Sequence, residues 1–235
     1  MKRESLKTEK RGEKAALKKN KPGGFSFRLR GVIFDLDGTI VEVPYDWSRI
    51  RADLGTSGLP VLSYLDRLEE PERSRKWRLL QQYEDEATKK ARLKEGTTGF
   101  LHFLTRRGLK TALVTNNSRD NCRFLMRKFR LQFDQVLSRE SGLWKPSGAP
   151  FEEVMRRLGL KKEECAVVGD SFFDLQAADE AGIEKVFLIS QDKDKFSSSR
   201  AEIIPTVAAL QQRFEVLLGN EGEGEAAGME RNPRD

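Results

Sequence analysis

Histidine is nearly missing from this 235-residue chain: His102 stands alone beside 43 Lys and Arg and 37 Asp and Glu. Hydrolase chemistry that leans on an imidazole therefore has one candidate. That residue sits in the apolar run Phe100-Leu101-His102-Phe103-Leu104 and reads as part of a packed helix face. Cysteine is scarce too, with Cys122 and Cys165 43 positions apart and no CxxC spacing. A zinc cluster and a disulfide framework are both excluded, and a reducing cytoplasm is expected. No apolar run approaches the roughly 18 residues of a membrane helix, and no N-terminal stretch has the apolar core of a secretory signal. The sequence reads as soluble, with no membrane partner.

Excess charge of one sign is concentrated at the ends. Residues 1–24 hold nine Lys and Arg and three Glu, which accounts for the whole net charge of +6 and leaves the remainder neutral. With almost nothing apolar before Lys21-Pro22-Gly23-Gly24, this segment reads as a disordered basic tail. Residues 219–235, rich in Gly and Glu, read as a disordered acidic tail. A basic arm can serve nucleic-acid contact. Interleaved Glu and the lack of any aromatic before Phe25 weigh against that partner here.

Between the tails, short β-branched runs alternate with helical segments. Val32–Phe34, Thr111–Val114, Gln135–Leu137, Ala166–Val168 and Val186–Ile189 read as buried strands. Helices are expected at 97–107, 118–129, 148–158 and 174–181, with Ser118 and Asp174 as N-caps and Gly108, Gly159 and Gly182 as stops. Continuously apolar strands alternating with helices predict an α/β fold, a parallel sheet covered on both faces. The core is assigned to 25–41 and 96–218. Residues 42–95 break the alternation and read as a helical insertion with helices at 46–54, 60–69 and 71–93, the last with a charged face turned to solvent.

The chemistry gathers at strand ends. Val32-Ile33-Phe34-Asp35-Leu36-Asp37-Gly38-Thr39 places two carboxylates directly after a buried strand, then a glycine that permits a sharp turn. Thr115-Asn116-Asn117 follows the second core strand, Lys145-Pro146 the third, and Gly169-Asp170-Ser171-Phe172-Phe173-Asp174 the fourth. Ligands of such sheets bind at the carboxyl ends of the strands. Acid, hydroxyl, amine and acid on one sheet edge suit phosphoryl transfer: carboxylates hold a Mg²⁺, Lys145 and Thr115 neutralise phosphoryl oxygens, and an Asp attacks phosphorus.

Taken together and in this order, the four strings resemble the haloacid dehalogenase-like superfamily over roughly residues 30–190. The resemblance implies a Rossmann-like core with a small all-helical C1 cap at 42–95, as in relatives of the phosphoglycolate phosphatase and β-phosphoglucomutase type. It implies that Asp35 is the nucleophile and a Mg²⁺ ligand, and that Asp37 is the general acid and base, its carbonyl also on the metal. Thr115, Asn116 and Lys145 would bind phosphate, Asp170 would ligate Mg²⁺, and Asp174 would support metal-bound water or Lys145. An acid at position 37 separates phosphatases and phosphomutases from dehalogenases. The expected activity is Mg²⁺-dependent hydrolysis of a small phosphorylated metabolite through an aspartyl-phosphate; a phosphomutase and a phosphatase of nucleic-acid ends are the alternatives. In the cap, Tyr45, Trp47 and Arg49 could face the leaving group, or Trp47 could pack with Ile50. Trp77, Leu80 and Tyr83 read as packing, and Ser118 and Ser171 as cap or loop hydrogen-bonders.

Overall fold

The computed structural model describes residues 29–56, 58–192 and 194–226. The basic segment 1–24 and the last nine residues, with the expectations attached to them, lie outside that set. In chain order, β1 (Gly31–Phe34) is followed by a two-residue strand β2 (Val41–Glu42) and three helices, α1 (Trp47–Leu54), α2 (Val61–Asp66) and α3 (Glu72–Lys89). A second two-residue strand, β3 (Arg92–Leu93), precedes α4 (Thr97–Arg106), β4 (Lys110–Val114), α5 (Arg119–Phe129) and β5 (Gln135–Leu137). Then come α6 (Ala149–Leu158), β6 (Cys165–Gly169), α7 (Phe172–Glu180), β7 (Lys185–Ile189), β8 (Glu202–Ile204) and α8 (Val207–Ala226).

Six strands form one sheet in the order β5-β4-β1-β6-β7-β8, every pairing parallel. The alternation of strand side chains divides the core in two. Val32 and Phe34 face a layer built by Phe100 and Leu104 of α4, Leu125 of α5 and Phe214 of α8. Ile33 faces the opposite layer, with Phe151 and Val154 of α6 and Ala177 of α7. Each fully buried side chain of this size contributes about 1.5 to 3 kcal/mol, so burial on both faces of β1 anchors the residues that follow it. The chain runs outward from β1 through β4 to β5, then crosses to β6 on the other side. That reversal of strand order opens a crevice beyond the carboxyl ends of β4, β1 and β6, where ligands of open α/β sheets bind.

The insertion packs around its own centre of Ile50, Leu54, Leu62, Leu65 and Leu80. It leaves and rejoins the core through an antiparallel pairing of β2 with β3, Val41 opposite Leu93 and Glu42 opposite Arg92. The third cap helix therefore stops at Lys89 instead of reaching 93, because Arg92 and Leu93 are drawn into that neck; two-residue strands carry no periodicity to read. Three further expectations are corrected. The N-cap of α7 is Ser171, and Asp174 stands in its first turn, accepting from the Ser171 N–H at 3.1 Å and hydroxyl at 2.6 Å. His102 lies on the exposed side of α4. Helix α8 continues to Ala226, past the tail boundary placed at 219, since an anchored helix extends without a new nucleus through Glu and Ala even against a glycine cost of about 1 kcal/mol each.

Candidate active site

Three strands deliver the acids and the hydroxyl to the crevice. Asp35 is the first residue after β1, its N–H held by the Val168 carbonyl of β6 at 2.9 Å, and Thr115 directly follows β4. Asp170 follows β6. The Asp35 and Thr115 side chains are buried, as are those of Lys145 and Asp174, the last fully. Lys145 is the hub: its Nζ donates to Asp35 Oδ1 at 2.6 Å and to Asp174 Oδ1 at 2.7 Å. The other Asp174 oxygen is taken by the start of α7, so this carboxylate is tied at both ends.

Asn116 serves Lys145. Its Nδ2 donates to the Lys145 carbonyl at 2.8 Å and its Oδ1 accepts from the Lys145 N–H at 2.9 Å. An amide expected to meet phosphate is thus engaged with backbone at both ends, although the residue still lines the cavity. Asn117, which the sequence reading passed over, grips Asp37: its Nδ2 donates to Asp37 Oδ2 at 2.9 Å and to the Tyr45 hydroxyl at 3.0 Å, linking the core to the cap. The pair of Asn codes after a strand-end Thr was a visible signal; only one was assigned. Thr39 hydrogen-bonds both Asp35 Oδ2 (3.3 Å) and Asp170 Oδ1 (3.4 Å). Lys94 donates to the Gly38 carbonyl and Lys195 to the Asp170 carbonyl at 3.4 Å, and nothing in their surrounding sequence announced either.

Crowded, buried carboxylates resist ionisation. Burial pushes Asp35 up to about 6 against the pull of Lys145. Burial and the neighbouring Asp35 push Asp37 up to about 8, with Asn117 opposing, and burial followed by Asp35 pushes Asp170 up to about 7. Burial works against the Lys145 ammonium, but Asp174 and Asp35 overrule it and hold it above its ordinary value. Asp37 Oδ1 is buried without a hydrogen-bond partner. At neutral pH the site holds a charged lysine and, beside it, an acid with a proton to give.

Residues 29–182 match the haloacid dehalogenase-like hydrolase family. This chain belongs to that family. The hydrolase is 27% identical over 159 residues to a haloacid dehalogenase-like hydrolase domain-containing protein of Arabidopsis thaliana, spanning 63% of this chain and 65% of that relative's length. It is 29% identical over 176 residues to a pyrophosphatase of Halalkalibacterium halodurans, covering 66% of this chain and 81% of the relative. Among solved structures, one described as a predicted phosphoglycolate phosphatase from Haemophilus somnus superposes with a TM-score of 0.61 at 25% identity, covering 84% of this chain and all of that one.

The donor set of the hydrolase fits a divalent cation. Carboxylate oxygens of Asp35, Asp170 and Asp174 lie within 4.8 Å of one another. These three acids outnumber Lys145 by two negative charges, the deficit one divalent ion removes. Asp174 Oδ1 is taken by Lys145 and Oδ2 by three donors at the start of α7, whereas Asp35 Oδ2 and the Asp170 oxygens carry no more than the long Thr39 contacts, so Asp35 and Asp170 would hold the ion and Asp174 would hold Lys145. Gly38 keeps the space open: at φ +85° it adopts a conformation that side chains avoid, and a Cβ there would lie 2.1 Å from Asp170 Oδ2.

A cavity of about 460 Å³ extends from these carboxylates to the cap, and Tyr45, Trp47 and Arg51 line it. Arg49, grouped with Tyr45 and Trp47 from sequence, instead pairs with Asp53 at 3.7 Å and lies over the Tyr83 ring. Trp77 and Tyr83 pack on the cap core around Leu80. Most charges of α3 face solvent, with one exception. Glu84 is buried and takes both Arg139 nitrogens, at 2.9 and 2.7 Å, joining cap to core at the cavity wall. Ser118 caps α5, accepting from the Asn121 N–H at 3.3 Å. No helix among the described residues is long and apolar enough to cross a membrane.

Proposed function

We propose that this hydrolase is a Mg²⁺-dependent phosphatase of small phosphomonoesters that works through an aspartyl-phosphate on Asp35. The observation that carries the reading is the Lys145 ammonium bridging Asp35 and Asp174 with Asp37 adjacent: a nucleophile, a cation for phosphoryl oxygens and a protonated acid within one cavity. An Asp35 oxygen attacks phosphorus, and as the ester bond breaks the leaving oxygen takes the Asp37 proton. Asp37, now a carboxylate, receives a proton from the water that attacks the phosphorus of the aspartyl-phosphate, releasing phosphate and restoring Asp35. Thr115 and Lys145 bind the phosphoryl group, with Asn116 fixing the Lys145 backbone. Asp35 and Asp170, with the Asp37 carbonyl as the ligand the family implies, would hold a Mg²⁺, which would supply charge neutralisation for the phosphoryl oxygens.

The names of the relatives, a pyrophosphatase and a predicted phosphoglycolate phosphatase, support hydrolysis at phosphorus. Exposure of Trp47 and Phe173 at the cavity lining supports a phosphatase over a phosphomutase, which must shelter its phospho-Asp from water. Two cysteines, Cys122 and Cys165, both buried and free, fit the reducing, cytoplasmic setting we propose. The test is phosphate release from 4-nitrophenyl phosphate with Mg²⁺ and with EDTA. Metal-dependent release that Asp35→Asn abolishes is expected; full activity in that variant overturns the mechanism.

A further inference from the structure

The cavity's chemistry is sharply divided between its two ends. The core end is ionic, as described, and suits a phosphoryl group. The far end is not: Val43, Tyr45, Trp47, Val61, Leu62 and Leu80 supply most of the cap's share of the wall. Phe173 adds a third large ring, from the core side. Trp47 is 39% exposed and Phe173 36%, and of the six large apolar side chains exposed among the described residues these two line the cavity. Apolar rings left open to water inside a functional cavity are surface awaiting cover. Tyr45 and Trp47 stand with ring centroids 4.9 Å apart and planes inclined by 44°, a continuous aromatic wall.

Polar groups on the cap side are few, and most are spent. Glu84 is bound by Arg139, and the Tyr45 hydroxyl accepts from Asn117. What remains is Ser63 and Arg51. Arg51 is exposed, forms no ion pair among the described residues and lies with its guanidinium carbon 5.8 Å from the Trp47 ring centroid. A sugar would bring several hydroxyls to a wall with almost no partners for them, and each one stripped of water without a partner disfavours binding. A flat apolar body loses nothing there, and an anionic group on it would find Arg51.

We infer that the substrate class, on the phosphatase reading above, is a phosphomonoester whose leaving group is a flat, mostly apolar ring bearing a second negative charge. The phosphoryl group sits on Asp35 and Lys145, the ring lies between Trp47 and Phe173, and the carboxylate or equivalent anion pairs with Arg51. Specificity in this enzyme comes from rings and one arginine.

Three alkyl phosphates of closely similar leaving-group chemistry test this: 4-carboxybenzyl phosphate, benzyl phosphate and glucose 6-phosphate, with inorganic pyrophosphate as a fourth arm. The expected order of kcat/KM is carboxybenzyl over benzyl over glucose ester, each step about tenfold, the size of one charged hydrogen bond and of one buried ring. Arg51→Ala should remove about tenfold from the carboxybenzyl ester, mainly through KM, and far less from the benzyl ester. Trp47→Leu should slow both benzyl esters alike. Equal or better turnover of glucose 6-phosphate or pyrophosphate overturns the substrate class alone, as does an Arg51→Ala loss that is the same on every ester. No release from any ester or from 4-nitrophenyl phosphate with Mg²⁺ overturns the phosphatase reading, and this inference with it.

Discussion

Arg139→Met strands Glu84. The pair is nearly inaccessible, with side-chain exposures of 7% and 5%, and Gln81 accepts from the same guanidinium at 3.2 Å. Losing the arginine leaves Glu84 two choices: stay ionised in a medium that penalises a bare charge by several kcal/mol, or take a proton. The second has a ceiling set by pH. Raising a carboxyl from its ordinary value of about 4.3 past pH 7 costs roughly 3.7 kcal/mol, at about 1.4 kcal/mol per unit. Burial already holds Glu84 above the ordinary range with Arg139 limiting the rise, so the intact protein bears part of that cost. The difference should be about 2 to 3 kcal/mol at pH 7, a large share of a typical 5 to 15.

The sign follows from linkage. An acid whose folded value is raised binds more protons when folded, so the penalty is absent below about pH 4 and grows as pH rises. Urea unfolding of the variant and the parent at pH 7 and pH 5 should therefore show a difference that shrinks below about 1 kcal/mol at the lower pH. The double variant Glu84→Gln with Arg139→Met should recover most of the loss, because no buried charge is left behind. A penalty that is the same at both pH values, or under 1 kcal/mol at pH 7, refutes the reasoning.

The carboxylates make metal binding a stability effect as well. Without metal, Asp35, Asp170 and Asp37, raised to about 6, 7 and 8, contribute stability below about pH 4 that is lost as pH climbs through those values. The rise in Tm on replacing EDTA with Mg²⁺ should therefore be larger at pH 8 than at pH 5.5, and a pH-independent shift would count against the charge argument. Asn116→Ala should lower kcat about ten- to a hundredfold with little change in Tm, since it frees the Lys145 backbone and a small displacement at a reacting centre is costly. Gly38→Ala should weaken Mg²⁺ affinity in calorimetric titration, because the new Cβ must displace Asp170.

What could be read before folding was whatever is written in consecutive residues. Val32–Phe34 and Ala166–Val168 announce buried strands because parallel strands covered on both faces are apolar throughout, and the acids at their ends stand one residue beyond. Asp35, Asp170 and Lys145 were legible because burying charge is too costly to happen without purpose. Contacts made across long stretches of chain were not: Asn117 on Asp37, Lys94 on Gly38 and Arg139 on Glu84 exist only once the chain has folded. Arg139 and Glu84 in particular look like two surface charges in a chain full of them. Strand β8, a Glu-Ile-Ile triplet, and helix α8 were passed over because three residues show no period and a weakly amphipathic helix shows little more.

The neck formed by β2 and β3 has a further meaning. Because the cap departs and returns at residues that face each other, Val41 with Leu93, its ends are already joined from the core's point of view. Some fifty residues can be lengthened, shortened or traded for another set of helices while β1 and β4 keep their pairing, since enlarging a surface loop adds little closure entropy. The catalytic sheet edge and most of the cavity's apolar wall thus lie on separate pieces of one chain. Recognition can drift in the detachable piece, through residues such as Trp47 and Arg51, while the sheet edge that carries Asp35 stays as it was.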